Sequence, residues 1–173
     1  MSDNQQERLA TGFYIAGFVD GEGSFHVAFE KRESVKLGWQ IIPEFHLSQH
    51  ESNIGLLYYI QKALDCGTIR PNHQGNKHDR NYVLVVRNRQ DLINKILPFF
   101  SKYKLRSNKR QDFEKFKSIL MLMQNNQHRK KSCFEYIVKM AYSMNKEGKY
   151  RKRKIAVLLE SSETIRQTAR PSG

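Results

Sequence analysis

Two carboxylates, Asp20 and Glu22, alternate with glycines where a predicted helix gives way to a predicted strand. The helix is predicted from about Gly12 to Gly21, with Thr11 as its N-cap, so both acids fall at its carboxyl end. That end disfavours negative charge by about 0.3–1 kcal/mol. Carboxylates and accessible backbone carbonyls are the ligands that a hard cation such as Mg²⁺ prefers. The pattern indicates a metal site, although solvated turn residues would have the same spacing.

The acids lie in a strongly basic chain. Its 173 residues include 30 Lys and Arg against 17 Asp and Glu, a net charge of +13. This excess points to a polyanionic partner, and nucleic acid is favoured because no basic amphipathic membrane anchor stands out. The hydrophobic fraction of 39% excludes a wholly disordered basic tail. We expect no membrane partner and an intracellular location, since no apolar run nears the roughly 20 residues of a membrane span and the start is unlike a signal peptide.

The elements that must position the acids follow a repeated helix–strand–strand order. Alternating polarity predicts strands over Ser24–Glu30 and Gln40–Gln49, which should form a hairpin. The later elements are a helix from Ser52 or Asn53 to Cys66, strands at 68–72 and 81–87, a helix capped by Asn88, helices at about 109–123 and 132–144, a short helix at 155–160 and a disordered end at 166–173. We therefore expect one α+β domain over residues 1–173, with a core at about 9–123 and a helical, basic extension at about 124–173.

Small residues mark one face of the first helix. Gly17 and Gly21 lie four positions apart, with Phe13 one turn earlier. A glycine inside a helix costs about 1 kcal/mol relative to alanine. These glycines therefore predict that the backbone of another helix packs closely against this face.

The segment YIAGFVDGEGSF, from Tyr14 to Phe25, resembles the motif of the LAGLIDADG homing endonucleases, and Ile15 to Gly23 match its nine positions by residue type. The similarity extends from about Leu9 to Lys154 and is to the single-motif group encoded by introns in ribosomal RNA genes. It implies an αββαββα core whose curved antiparallel sheet lies in the DNA major groove, followed by C-terminal helices.

The resemblance also implies an activity. Such a protein is a site-specific homing endonuclease that hydrolyses both strands of a long pseudo-palindromic DNA target, here expected in a ribosomal RNA gene. Hydrolysis depends on Mg²⁺ or another divalent metal such as Mn²⁺, leaves 3′ overhangs and promotes intron homing. One motif per chain and two strands to cut imply a homodimer joined through Phe13, Gly17 and Gly21. The expected compartment is a bacterial cytoplasm or an organelle.

The resemblance assigns the metal to the second acid of the motif, which is Glu22, and to the carbonyl of Gly21. This position is glutamate here and aspartate in many relatives. The change lengthens the side chain but keeps a carboxylate as the ligand. Asp20 is a secondary metal candidate with a more structural role near the join between motif helices.

Two further catalytic residues follow from the same resemblance. Gln49, at the end of the second strand, would orient water or metal. A lysine after the third helix would contact the region of the scissile phosphate. The match falls on Lys109, but the local basic run keeps Lys104 open as the alternative.

Base reading is expected from the polar strand faces, which are sized to enter a major groove. An ordinary solvated sheet face would have the same pattern. The candidates are Ser24, His26, Ala28, Glu30, Arg32, Gln40, Ile42, Glu44, His46, Arg70, Asn72, Asn81, Val83 and Val85. Arg70 and Gln40 are favoured because arginine can pair with guanine and glutamine with adenine. Phosphate contacts are expected from Lys102, Lys104, Arg106, Lys109, Arg110 and the run from Lys149 to Lys154.

Other functions remain compatible with parts of the pattern. The same scaffold could be a maturase that binds its intron RNA, or a catalytically inactive DNA-binding protein. A basic ribosome-associated protein would explain the charge but not the motif. Nicking of DNA in Mg²⁺ distinguishes the nuclease from the maturase, and an inactive binding protein would have no reason to keep an acid at position 22.

Overall fold

The computed structural model describes residues 3–73, 75–76, 78–145 and 154–160. The chain folds into two compact units, one with Met1–Phe25 and Glu44–Phe113, the other with His26–Pro43 and Glu114–Gly173. The predicted boundary near residue 123 stays a prediction. The basic residues 149–153 and the predicted disordered end at 166–173 lie outside the described residues. Within the described ranges, no helix is both long enough and apolar enough to cross a membrane.

The elements follow the predicted order. They are α1 Asp3–Glu22, β1 Gly23–Lys31, β2 Trp39–His50, α2 Ile54–Leu64, β3 Thr68–Pro71, β4 Asn81–Val86, α3 at 89–102, α4 Lys109–Gln124, α5 Lys131–Tyr142 and α6 at 155–160. The strands form one sheet in the order β1-β2-β4-β3. Strand β4 pairs antiparallel with both β2 and β3. The α+β prediction is confirmed, and each predicted hairpin is a pair of neighbouring strands.

The start of α1 was predicted wrongly. The helix begins at Asp3 instead of near Gly12, so Thr11 lies inside it and is not its N-cap. The residues before Thr11 are mostly good helix formers, such as Gln, Glu, Arg, Leu and Ala. The hydroxyl of Thr11 shares a hydrogen bond of 3.1 Å with the hydroxyl of Tyr59 on α2. A polar group that resembled a helix cap is therefore used in tertiary packing.

Four phenylalanine rings form the centre of the first unit. Phe25, Phe45, Phe100 and Phe113 are buried, and their ring centroids lie 5.3–5.9 Å apart in five pairs. Aromatic pairs of this kind add about 0.5–1.5 kcal/mol each beyond their buried area. The cluster joins the start of β1, β2, α3 and the start of α4, which are the elements on either side of the motif.

Helix α3 is irregular. Asn88 caps it as predicted, because its side-chain oxygen accepts hydrogen bonds from the backbone N–H groups of Gln90 at 2.9 Å and Asp91 at 3.2 Å. The helix then widens into a π-helical turn over Leu92–Ile96 before it continues as Leu97–Lys102. Pro98 follows the wide turn and has no N–H to donate, so a regular hydrogen-bond ladder is interrupted there in any case.

The second unit has its own aromatic packing. The ring of Phe29 lies 6.1 Å from that of Phe134 and 6.4 Å from that of Tyr142. At the end of α5, Lys115 donates to the carbonyl of Ser143 at 2.8 Å, which satisfies a terminal helix carbonyl. The two helices predicted at about 109–123 and 132–144 are confirmed as α4 and α5.

A tight contact fixes α1 to the segment that follows α3. A Cβ atom at Gly12 would overlap the ring of Tyr103. Tyr103 is 7% exposed and its ring packs against the rings of Phe13 and Phe99, so the ring cannot swing aside freely. Gly12 is therefore required for the close packing of α1 against Tyr103. The sequence did not reveal this role, because a glycine near the predicted start of a helix needs no packing explanation.

We expect Gly12→Ala to lower the free energy of unfolding by about 1–2 kcal/mol, because overpacking outweighs the better helix propensity of alanine. Urea unfolding followed by circular dichroism measures this. The matched control is Gly55→Ala on α2, where an added Cβ meets nothing within 4 Å. That control should be neutral or stabilising, and equal stability of the two variants would contradict the contact.

Candidate active site

The carboxylate of Asp20 fastens the end of α1 to the segment before α4. It accepts hydrogen bonds from the backbone N–H of Arg106 at 2.7 Å, and from the N–H and hydroxyl of Ser107 at 3.1 and 2.7 Å. Burial acts to raise the pKa of Asp20, but the hydrogen bonds from Ser107 and Arg106 outweigh it and lower that pKa. The hydroxyl of Ser107 also accepts from the N–H of Lys109 at 3.2 Å, at the start of α4. These contacts fit the structural role predicted for Asp20 and occupy the carboxylate considered as a secondary metal ligand.

Lys109 reaches back to the same helix end. Its ammonium group donates to the carbonyl oxygens of Asp20 and Gly21, each at 2.9 Å. A cation is favourable there because the last carbonyls of a helix lack partners and carry the negative end of its dipole. Of the two lysines left open by the sequence, Lys109 is thus the one bonded to the motif, while Lys104 is exposed.

The two remaining predicted residues lie in the same unit. Glu22 is the last residue of α1 and is exposed, and it directly follows the carbonyl that Lys109 contacts. Gln49 lies near the end of β2, half-buried and across from Tyr82 of β4. Its side-chain oxygen accepts from the amide of Asn53 at 3.4 Å.

The oxygens at this helix end suit a hard divalent cation. Glu22 contributes an exposed carboxylate, and Gly21 contributes a carbonyl oxygen. A carbonyl oxygen has two lone pairs, so a bond from Lys109 leaves capacity for a second partner. An all-oxygen donor set is the type that Mg²⁺ and Mn²⁺ accept.

The glycine face of α1 is open in the single chain. A Cβ added at Gly17 or at Gly21 would meet nothing within 4 Å. Along the helix, Phe13 and Tyr14 are 57% and 51% exposed, large values for aromatic side chains. Packing within the chain therefore does not explain these glycines, whereas it does explain Gly12.

Most predicted base-reading residues have accessible side chains. The exposed or half-buried members are Ser24, His26, Ala28, Glu30, Arg32, Gln40, His46, Arg70, Asn72 and Asn81. Some are already engaged with neighbours. Arg32 donates to the side-chain oxygen of Gln40, and Asn81 donates to Asp79 at 2.6 Å. Of the predicted phosphate contacts, Arg106 and Arg110 have exposed side chains, as do Lys102 and Lys154.

The polar face was predicted wrongly at four positions. Ile42, Glu44, Val83 and Val85 are only 1–8% exposed. The two valines lie on the inner strand β4, which has a neighbouring strand on each side. Register places Val83 between Ser48 and Arg70, and places Val85 between His46 and Thr68. Alternation predicts a side chain's face correctly but not how much its neighbours shield it.

Glu44 is buried for a different reason, because it is paired. His46 donates to it at 3.0 Å, and the Nε of Arg87 donates to its other oxygen. Burial acts to raise the pKa of Glu44, but the hydrogen bonds and charges of His46 and Arg87 lower it to about 2. The sequence did not identify Arg87 as a partner of Glu44. Its position directly after β4 was the one available indication that it lies beside the sheet. The sequence also did not identify Ser107, a typical N-cap residue type before α4.

The fold joins a four-stranded sheet to a motif helix whose last carbonyls bind a lysine, and comparison with known proteins identifies the family that has this motif. The family model for LAGLIDADG endonucleases matches residues 15–120. The chain belongs to the LAGLIDADG endonuclease family.

Individual relatives show how far the similarity reaches. DNA endonuclease I-CeuI of Chlamydomonas moewusii is 30% identical over 129 residues, which are 73% of this chain and 58% of that protein. The archaeal intron-encoded homing endonuclease I-Vdi141I, solved in complex with DNA, is 30% identical with a TM-score of 0.80, over 91% of this chain and 98% of its own. I-SmaMI, solved bound to uncleaved DNA in the presence of calcium ions, is 33% identical with a TM-score of 0.72, over 78% and 44%. The chain spans about a quarter to just over half the length of the first curated relatives that it matches.

Proposed function

We propose that the protein is a site-specific endonuclease that cuts both strands of a long, pseudo-palindromic DNA target and promotes the homing of an intron. The observation that carries this proposal is the ammonium group of Lys109 at the carbonyls of Asp20 and Gly21, immediately before the exposed carboxylate of Glu22. A cationic side chain beside an oxygen-rich cation site suits the hydrolysis of a phosphodiester. The DNA-bound relatives and the net charge of +13 support DNA as the substrate.

The chain's own residues have separate roles in this proposal. Glu22 and the Gly21 carbonyl hold a divalent cation, Mg²⁺ or Mn²⁺, which when bound supplies neutralisation of phosphate charge and a more acidic water. Gln49 orients the attacking water through its side-chain amide. Lys109 stabilises negative charge at the scissile phosphate. Asp20 positions Lys109, because it fixes the segment in which α4 begins.

A homodimer joined through α1 completes the proposal. Each chain carries one Glu22, and two strands are cut. The open face at Gly17 and Gly21, with the exposed ring of Phe13, supports packing of this helix against its own copy. Two-fold symmetry then presents one half-site of the target to each chain. A ribosomal RNA gene as target, 3′ overhangs and a bacterial or organellar compartment remain predictions within this proposal.

Cleavage of an intronless ribosomal RNA gene fragment by the purified protein tests the function. We expect one double-strand cut with 3′ overhangs in Mg²⁺, mapped by end-sequencing of the products, and no cut when EDTA removes the cation. Tight binding to the host intron RNA without any nicking of DNA would favour the maturase instead. Sequence-specific DNA binding without nicking would favour the inactive binding protein.

A further inference from the structure

A buried carboxylate joins two strands of the sheet in the unit that carries the candidate active site. Glu44 is the only charged residue that is buried in the part of the chain that the structure describes, with 4% of its surface exposed. An unpaired buried carboxylate costs several kcal/mol, so the group depends on its two partners, His46 and Arg87. The hydrogen bonds therefore satisfy the carboxylate of Glu44 and also restrict the orientation of the His46 and Arg87 side chains.

Strand register explains why these three side chains meet. The last aligned pair of β2 and β4 is Phe45 with Val86, so Glu44 and Arg87 are the next residues across from each other. His46 lies two positions from Glu44 and shares its face of the sheet. This face also carries Arg70, which was predicted to read bases.

The bond to Glu44 uses only one part of the Arg87 guanidinium. The Nε–H is donated to the carboxylate, while 59% of the Arg87 side chain is exposed. A guanidinium has five N–H donors in a rigid planar fork, so four remain on its two terminal nitrogens. Two donors side by side match the O6 and N7 acceptors of guanine, the commonest specific contact in a major groove.

The surroundings of Arg87 also suit a nucleic-acid base. Arg87 lines an open groove of about 550 Å³ together with Thr68 and Arg70. The acidic residue in the groove wall, Asp91, lies 3.3 Å from the ammonium group of Lys95, which offsets its charge. Two arginines therefore face one concavity, and one of them is held in orientation by a buried acid.

We propose that Glu44 is a positioning residue that orients Arg87 to read one guanine in each half-site of the target, an inference that rests on the DNA-cleaving function proposed above. An arginine side chain loses about 1.5–2 kcal/mol of rotamer freedom when it is ordered. Because the bond to Glu44 already restricts the Arg87 side chain in the free protein, less rotamer entropy is lost when DNA binds. Arg87 thereby contributes base discrimination, and Glu44 contributes through Arg87 without touching the base.

Selection of binding sites from a randomised target library tests the proposal. The wild-type protein should select a guanine at one position of each half-site. Arg87→Lys keeps the charge but loses the fork, so preference at that position should fall about 5- to 140-fold while other positions stay unchanged. Glu44→Gln should relax the same position. The matched control is the exposed pair of Arg80 and Glu51, in which Arg80→Lys and Glu51→Gln should leave the profile unchanged.

A base analogue separates positioning from folding. Replacing the selected guanine by 7-deazaguanine removes the N7 acceptor, which should weaken binding by the wild type more than binding by Arg87→Lys, because the ammonium group of a lysine can still donate to O6. Arg87→Lys keeps a cation beside the buried Glu44, so this variant should fold even if Glu44→Gln is less stable in thermal unfolding. Unchanged base preference in Arg87→Lys would overturn the inference and leave the proposed function intact. A wild-type protein that selects no DNA sequence would overturn the proposed function itself.

Discussion

Glu22→Gln is expected to bind the DNA target and to leave it uncut. The substitution keeps the shape of the side chain but removes the only carboxylate charge that the proposal assigns to the cation. Charge stabilisation by a metal contributes several kcal/mol to such reactions, so the cleavage rate should fall about a thousandfold or more. Binding should persist, because Glu22 is acidic and most affinity is expected from Lys and Arg contacts with phosphate. Gel-shift affinity and plasmid linearisation, measured on one preparation, test both statements.

The matched control for this variant is Glu7→Gln. Glu7 lies on the same helix α1 and is also exposed, and the chemical change is identical. Its cleavage rate should equal that of the wild type. Retained cutting by Glu22→Gln would overturn the metal assignment, whereas joint loss of cutting and binding would point to a damaged fold.

Gly17→Leu is expected to separate the two chains without unfolding either of them. Within one chain the new side chain meets open space, and leucine has the better helix propensity by about 0.8–1 kcal/mol. In a two-fold dimer the substitution occurs twice at one helix contact, where overpacking costs about 1–3 kcal/mol each time. The dimer dissociation constant should rise ~30-fold to ~10⁴-fold, and double-strand cleavage should be lost with it. Sedimentation equilibrium measures the association with and without target DNA.

The control for Gly17→Leu is Gly55→Leu on α2, a second helical glycine whose Cβ position is open. It should gain similar helix stability and remain a dimer. A Gly17→Leu protein that still associates and cuts both strands would exclude this face as the interface. A wild-type monomer that makes double-strand breaks as a single bound copy would exclude the dimer altogether.

The sequence predicts the elements well where a local pattern encodes them. Alternation of apolar and polar residues predicted β1 and β2 to within one residue at each end. Asn88 was identified as a helix cap because its residue type and the polar residues around it are local signals. The motif likewise located the acids at the end of α1, whereas the resemblance left both Lys109 and Lys104 open as the lysine of the site.

The errors concern contacts between distant parts of the chain. Thr11 has the residue type of a helix cap, and only the fold reveals its partner on α2. The burial of Glu44 depends on Arg87, which is 43 positions away in the chain. Nothing near Asp20 in the sequence indicates that its carboxylate bonds to Ser107. Local periodicity carries no information on such pairs.

The hydrogen bonds of Asp20 and Lys109 have a consequence for the order in which the protein can assemble. They join positions 86 to 89 residues apart, whereas each β-hairpin closes over a short stretch of chain. The entropy of closing a loop grows with its length, so these contacts belong among the later events of folding. A nascent chain that ends before Arg106 contains the whole motif and all four strands, but it has neither the donors that bind Asp20 nor the lysine at Gly21. If the proposed function is correct, competence to cut arises only after most of the chain has been synthesised and folded. Incomplete chains would then present an acidic helix end without the lysine and the anchoring segment that the proposal requires.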